Sequence, residues 1–318
     1  QQQQQQQQAM AKWLPLFERV AAQADQDKID YLLYESSQWV DDPRAVAYFL
    51  SRGARINNKN SGNGWTSIVI AAKYGRDKVC RLLLEQRADI EPAGFTPLYV
   101  AASHGQHQVT DLLARAGADI DKGTVEGGFT PLYAASQYGY IPVVRTLIEA
   151  GAMVNKERTT GATPIYISSQ NGHYDVVVLL IESKADVNHA KKDGWTPLII
   201  AAYEGRERVI TLLLANKAEV NKSIEDGYSA LHKAAHNGHV EVCRLLLDGK
   251  AEVNACTNDG WTPLCHSADA GHSQVVTLLL ARNASVNQSV QGWTPLKLAR
   301  LNKHPETCKI LEVHGGTE

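Results

Sequence analysis

The residues best suited to bind a metal ion lie close together in the C-terminal third of the chain. Cys256, Cys265 and His266 fall within a short stretch, and His232 or His236 would approach from the preceding segment. Zinc takes three or four such ligands at about 2.0 to 2.3 Å. The stretch has no Cys-x-x-Cys pair, and its ligands are divided between a loop and a helix. We therefore interpret these residues as core and turn positions rather than as a zinc site.

Catalytic motifs are missing from the sequence as a whole. It has no Gly-rich phosphate loop, no His-Glu-x-x-His, no Gly-x-Ser-x-Gly and no kinase signature. We therefore predict a protein that is not an enzyme and that needs no cofactor and no metal ion.

Aromatic residues recur at a regular spacing. A short motif occurs in eight copies, and the residue before its Thr or Ser is aromatic in seven of them and Ala162 in the eighth. The seven aromatic residues are Trp65, Phe95, Phe129, Trp195, Tyr228, Trp261 and Trp293. Trp and Tyr are over-represented where binding energy concentrates in interfaces. Two interpretations stay open, a row of partner-binding rings and a row of rings that stiffen neighbouring segments. As candidates for partner binding we take the first six.

A second set of aromatic or His residues follows eight or nine positions after the first. The slots are Tyr74, His104, Tyr138, Tyr203 and His236. A structural framework does not require rings or imidazoles at such positions, so contact with a partner is the favoured interpretation. We predict that both sets line one binding groove.

The elements that position these residues come from a repeated motif. Its clearest copy is Gly194-Trp195-Thr196-Pro197-Leu198, and copies recur every 30 to 34 residues from Gly64 to Gly292. A fixed period in this range indicates a solenoid. Thr196 is suited to cap a helix and Pro197 to be its first residue. A second helix from Val209 to Leu214 is too apolar to face water, which predicts that it is buried between layers.

Glycine recurs in the middle of each unit, as at Gly205, and Ala recurs at its end, as at Ala218. With the Thr-Pro-Leu motif, these positions make the sequence resemble the ankyrin repeat family, whose signature is Thr-Pro-Leu-His-x-Ala. The resemblance covers residues 28 to about 314. It implies an all-α ankyrin repeat solenoid of stacked helix-turn-helix units with β-hairpin-like fingers. It also implies a concave face lined by finger tips and by the first helix of each unit.

The sequence departs from the family pattern at two places in the unit. The signature His is present only as His232. After the second helix, where the family favours Gly, other residues stand in five units: Arg87, Lys184, Lys217, Lys250 and Asn283. A left-handed residue other than Gly costs on the order of 1 kcal/mol, so we expect these layers to be less stable than those closed by Gly117 and Gly151.

We divide the chain into four segments. Residues 1–10 hold a poly-Gln tract, interpreted as disordered or as a cloning remnant. Residues 11–57 are an N-terminal helix and a degenerate capping repeat, in which Trp13 opens the helix, Asp27 caps a second helix and Pro43 begins a third. Residues 58–291 are central repeats. Residues 292–318 are a C-terminal capping repeat whose charged residues face solvent.

Composition limits which classes of partner and which cellular compartments fit the chain. The chain has 32 basic and 34 acidic residues and a net charge of −2, which argues against nucleic acid. Scattered cysteines indicate a reducing compartment. No apolar run reaches the roughly 18 residues of a membrane span. We predict a monomer without membrane insertion, located in the cytoplasm, with the nucleus as the alternative.

The predicted function is that of a non-enzymatic scaffold that binds a protein or peptide partner in the concave groove. The alternative is a substrate-recruiting or regulatory segment of a larger enzyme, such as a ubiquitin ligase, a kinase or an acyltransferase. Finger lysines would favour an acidic peptide, or they form a solvated edge, and both interpretations stay open. These lysines are Lys73, Lys122, Lys156, Lys191, Lys192 and Lys222.

Overall fold

The computed structural model describes residues 24–39 and 41–318, together with Pro15 and Arg19. The poly-Gln tract and the helix predicted from Trp13 lie outside these residues. The chain divides into two compact units, Gln1–Arg158 and Thr159–Glu318.

Each unit is an all-α stack of helix pairs. The first unit contains α1 Gln26–Trp39, α2 Pro43–Ser51, α3 Ser67–Lys73, α4 Asp77–Glu85, α5 Pro97–Ser103, α6 His107–Arg115, α7 Pro131–Tyr138 and α8 Ile141–Glu149. The second contains α9 Pro164–Asn171, α10 Tyr174–Glu182, α11 Pro197–Tyr203, α12 Glu207–Ala215, α13 Ala230–His236, α14 Val240–Asp248, α15 Pro263–Asp269, α16 Ser273–Ala281, α17 Pro295–Leu301 and α18 Pro305–Val313. Odd-numbered helices are the first of each pair and even-numbered helices the second.

Within each unit, first helices pack on first helices of the next pair, and second helices pack on second helices. The core lies between these layers, where Leu98, Leu113, Leu198 and Leu213 are fully buried. The apolar face predicted for the second helix therefore is buried, as in α12. This arrangement confirms the predicted all-α solenoid.

Most first helices begin as the sequence predicts. In α11 the backbone N–H of Ile199 donates to Thr196 Oγ1 at 3.2 Å, and Pro197 is the first residue. The hydroxyl satisfies an N–H that has no partner inside the helix. The same backbone N–H to hydroxyl bond is accepted by Thr96, Thr130, Thr262 and Thr294. Thr66 and Thr163 make no such bond among the described residues.

The mid-repeat glycine makes room for a hydrogen bond between neighbouring layers. Gly205 has φ of 71°, and a Cβ there would lie 2.8 Å from the His239 ring. That ring needs the space because its Nε2 donates to the Tyr203 carbonyl of the previous pair at 3.0 Å. Corresponding bonds reach the ends of other first helices from Gln106, Arg206, His272 and His304. His239 and His272 therefore connect neighbouring layers.

The second helices end in the left-handed region, as the sequence predicts. Gly117 and Gly151 have φ of 90° and 91°. In five other pairs the residue that replaces Gly adopts φ of 63° to 71°: Arg87, Lys184, Lys217, Lys250 and Asn283. These side chains therefore occupy a backbone conformation that favours glycine.

The start of α1 differs from the sequence prediction. The backbone N–H of Lys28 donates to the Asp25 carboxylate at 2.9 Å, so the cap predicted at Asp27 is wrong. Asp27 lies in the first turn and pairs with Arg55 at 2.8 Å. Asp25 and Asp27 stand two residues apart, and the local sequence pattern does not distinguish them as caps. Pro43 begins α2 as predicted.

Before six of the first helices, the chain forms a finger closed by a main-chain hydrogen bond to the carbonyl of its aromatic residue. In the finger 191–195 the N–H of Lys191 donates to the Trp195 carbonyl at 2.9 Å. Pairing of strands extends little further, because isolated bridges at Ser223–Ser229 and Val290–Trp293 are the only β-structure among the described residues. In the fingers that carry an aromatic residue at this position, that residue lies directly before the helix cap.

Candidate partner-binding surfaces

In the second unit, the finger rings lie against first helices. The Trp195 ring meets the Tyr203 ring edge to face, with centroids 5.7 Å apart. Trp261 stacks on His266 with centroids 4.8 Å apart and planes at 24°. Tyr228 also contacts the His266 ring at 5.3 Å. These contacts leave the three finger rings half-buried and fix their positions.

In the first unit, finger rings also lie against rings of the first helices, and two finger rings contact each other. Phe95 stacks on Tyr99 at 5.6 Å, and Phe129 meets Tyr133 edge to face at 5.5 Å. Trp65 also contacts Phe95, the ring of the next finger, at 6.2 Å. The Trp65–Phe95 contact is the kind that stiffens neighbouring fingers, while Phe95 itself stays exposed. Stiffening and partner binding are therefore compatible for these rings.

The predicted residues at the ends of first helices lie on the surface. Tyr74, Tyr138 and Tyr203 are 39%, 53% and 41% exposed. His104 and His236 are exposed as well. Rings that stay this exposed gain only part of the burial energy that a fully buried ring contributes, so stability explains these residues incompletely.

The structure groups the eleven candidates by unit. The first unit holds Trp65, Tyr74, Phe95, His104, Phe129 and Tyr138, and the second holds Trp195, Tyr203, Tyr228, His236 and Trp261.

Within each unit, a lysine lies close to a finger ring and to a second ring. Lys73 Nζ lies 5.4 Å from both the Trp65 and Tyr74 centroids. Lys233 Nζ lies 4.0 Å from the Tyr228 centroid and 5.2 Å from that of Trp195.

Sequence reasoning missed Lys233 as part of this surface. Its slot in the first helix holds Ile167 and Ile200 in the two preceding pairs and His266 in the next. A change from aliphatic to basic residues at one repeat position is a signal that alignment of the repeats makes visible. Burial lowers the pKa of Lys233, which fits a side chain that lies against two rings.

Three finger lysines pair with carboxylates of the chain itself. Lys122 Nζ lies 2.9 Å from Glu91, and Lys191 Nζ lies 3.0 Å from Asp193. Lys222 Nζ lies 3.7 Å from Glu219. Their charges are partly neutralised without a partner, which weakens the argument for an acidic peptide.

His232 ties its helix to the following finger. Its Nδ1 accepts from the Ser229 N–H at 3.1 Å, and its Nε2 donates to the carbonyls of Ala255 and Trp261 at 3.0 and 3.1 Å. Burial lowers the pKa of His232 to about 4, so the ring is neutral at neutral pH. Burial likewise lowers the pKa of His266 to about 3. Both nitrogens of His232 are thus engaged in hydrogen bonds within the fold.

In the described part of the chain, no three His, Cys, Asp or Glu side chains converge as a metal ion requires. Cys265 is buried, and its Sγ lies 3.5 Å from the Gln288 carbonyl, whereas Cys256 is exposed.

A pocket between the second and third fingers of the first unit was not predicted. Its volume is about 630 Å³, and its lining consists of Gly94, Phe95, Tyr99, Thr124, Val125, Glu126, Gly127 and Phe129. Two of the predicted binding rings, Phe95 and Phe129, form part of its wall.

The repeat architecture agrees with a comparison to known protein families. The family model described as ankyrin repeats (3 copies) matches in overlapping segments, which together run from residue 32 to residue 316: 32–124, 94–158, 121–191, 179–256, 218–290 and 249–316. The chain belongs to the ankyrin repeat family. A sequence search of curated proteins gives no match. No ankyrin helix in the described part of the chain has the length and apolar character that crossing a membrane requires.

Proposed function

We propose that this ankyrin repeat protein recognises a protein or peptide partner without catalysing a reaction. Ankyrin repeats generally act as protein interaction modules. The observation that carries the proposal is the set of exposed rings at the ends of first helices, above all Tyr138 and Tyr203. The fold leaves both side chains partly in water, and contact with another molecule would bury the exposed part.

The arrangement of these residues suits docking of a preformed surface. The helix end that carries Tyr203 is held by a cross-layer hydrogen bond from His239 to the Tyr203 carbonyl. The Tyr203 ring also rests on Trp195. A partner therefore meets side chains that have already lost much of their freedom, and less ordering entropy opposes binding.

The experiment is affinity capture from a cell extract, read by mass spectrometry. The wild-type chain is compared with a variant in which Tyr138, Tyr203 and His236 are changed to alanine. These side chains are exposed, so the variant should keep its helical circular dichroism. We expect a partner that the wild type captures and the variant loses.

A matched control changes three exposed residues of second helices, Arg81, Arg145 and Arg244, to alanine. This variant should capture the same partner as the wild type. Equal recovery by all three proteins would move the binding site away from the first helices and would contradict the proposal.

A further inference from the structure

The lengths of two successive fingers differ in opposite directions. The motif glycines Gly64 and Gly94 are 30 residues apart, while Gly94 and Gly128 are 34 apart, against 33 in most of the chain. The second finger is therefore short and the third is long. Thr124 N–H donates to the Phe129 carbonyl at 3.0 Å, which encloses one residue more than the bond from Lys191 to Trp195.

The long third finger and the short second finger enclose the pocket of about 630 Å³. Val125, next to Thr124 in the third finger, is 86% exposed. Gly127 keeps the wall thin, since a Cβ there would lie 2.6 Å from the Phe129 ring. The wall presents three aromatic rings, those of Phe95, Tyr99 and Phe129.

The finger segments that enclose the pocket are acidic. The two finger segments, 88–96 and 118–130, carry five carboxylates and a single basic residue, Lys122. Glu91 pairs with that lysine, and Asp121 accepts from the Met153 N–H at 3.0 Å. Glu126, which lines the pocket, makes no ion pair with any residue that the structure describes. An exposed carboxylate beside aromatic faces favours a cation.

One wall of the pocket already binds a cation of the chain. The Arg158 guanidinium carbon lies 4.0 Å from the Phe129 centroid and 5.7 Å from that of Tyr133. Arg158 does not line the pocket, so the Phe95 and Tyr99 rings and Glu126 remain accessible from it. The distance to Phe129 is typical of a cation–π interaction.

We propose that this pocket accepts a positively charged side chain, arginine or lysine, from a basic segment of a protein partner. The aromatic rings would hold the aliphatic stem and the charged group, and Glu126 would neutralise the charge. This inference rests on the proposed function, because it assigns a specificity to part of the same binding surface.

The test uses fluorine NMR of the whole protein labelled with 4-fluorophenylalanine. The chain has four phenylalanines, of which Phe95 and Phe129 lie in the pocket wall and Phe49 is fully buried elsewhere in the first unit. Three probes are titrated at equal ionic strength: the N-acetyl amides of arginine, lysine and norleucine. Norleucine has a similar aliphatic stem without the charge.

We expect saturable shifts of the Phe95 and Phe129 signals with the arginine or the lysine probe, and none at Phe49. The stronger of the two probes identifies the preferred cation. Glu126→Gln should weaken the response by up to about fivefold, as for loss of one exposed ion pair. The control Glu85→Gln removes an exposed carboxylate outside the pocket and should leave the response unchanged.

The proposal is overturned if neither cation gives a saturable shift, if norleucine gives an equal shift, or if Glu126→Gln has no effect. Its failure is separable from that of the proposed function. The capture variant changes Tyr138, Tyr203 and His236, none of which lines the pocket.

Discussion

The replacement of Lys217 by glycine should stabilise the protein. Lys217 has φ of 65° at the end of α12, where other pairs have a left-handed Gly. Its carbonyl accepts from Asn188 Nδ2 at 3.2 Å, a backbone contact that glycine keeps. The change removes a strain of about 1 to 2 kcal/mol and adds about 0.5 to 1 kcal/mol of chain entropy cost. The expected net gain is therefore about 0.5 to 1 kcal/mol.

The same reasoning gives a matched change of opposite sign. Gly151 has φ of 91°, and a Cβ at this position would meet nothing within 4 Å. Gly151→Ala should therefore add backbone strain without a clash, and after the smaller chain entropy cost of alanine it should destabilise the protein by about 0.5 to 1 kcal/mol.

The assay is urea unfolding followed by far-ultraviolet circular dichroism, with hydrogen exchange read locally in α12 and α14. Local exchange is needed because repeat arrays open layer by layer. Lys217→Gly should slow exchange in these helices, and Gly151→Ala should speed it in α8. If Lys217→Gly lowered the free energy of unfolding, or if both changes had the same sign, the strain argument would be refuted.

Two further predictions concern capping and pH. Thr196→Ala should lower the free energy of unfolding by about 1 kcal/mol because it removes the bond to the Ile199 N–H, whereas Thr163→Val should be nearly neutral. The buried Thr163 hydroxyl makes no hydrogen bond among the described residues, and equal urea midpoints for the two variants would contradict this difference. His232 has a lowered pKa of about 4, so its contribution is present above the unfolded pKa of about 6.5 and is lost as pH falls below it. Between about pH 7 and pH 5 this loss should reach about 1 to 2 kcal/mol, and a His232→Gln variant with the same acid slope as the wild type would show the assignment to be wrong.

Much of the fold follows from local chemistry that the sequence displays. The Thr-Pro start of α11, the left-handed end at Lys217 and the apolar α12 each depend on a few adjacent residues. The cap of α1 is Asp25 rather than Asp27, and Asp27 pairs instead with the distant Arg55. Local patterns do not reveal such long-range pairing.

The candidate surfaces were predicted less completely than the fold. The spacing placed Tyr138 and Tyr203 at helix ends, and the structure finds both rings exposed. The spacing of the repeats does not reveal that Lys233 lies over Tyr228, because that contact depends on how a finger folds back on its helix. The pocket escaped prediction for a related reason, since it arises from the different lengths of two neighbouring fingers rather than from either finger alone.

The measurement that tests the central claim most directly is calorimetric titration of the captured partner against single alanine variants. The variants cover the exposed ring positions Tyr74, Tyr138 and Tyr203, with Arg145→Ala as the control. If the rings form the binding surface, at least one variant should lose about 2 kcal/mol of binding free energy or more, and the control should lose none. Full affinity in every ring variant would contradict recognition through this surface.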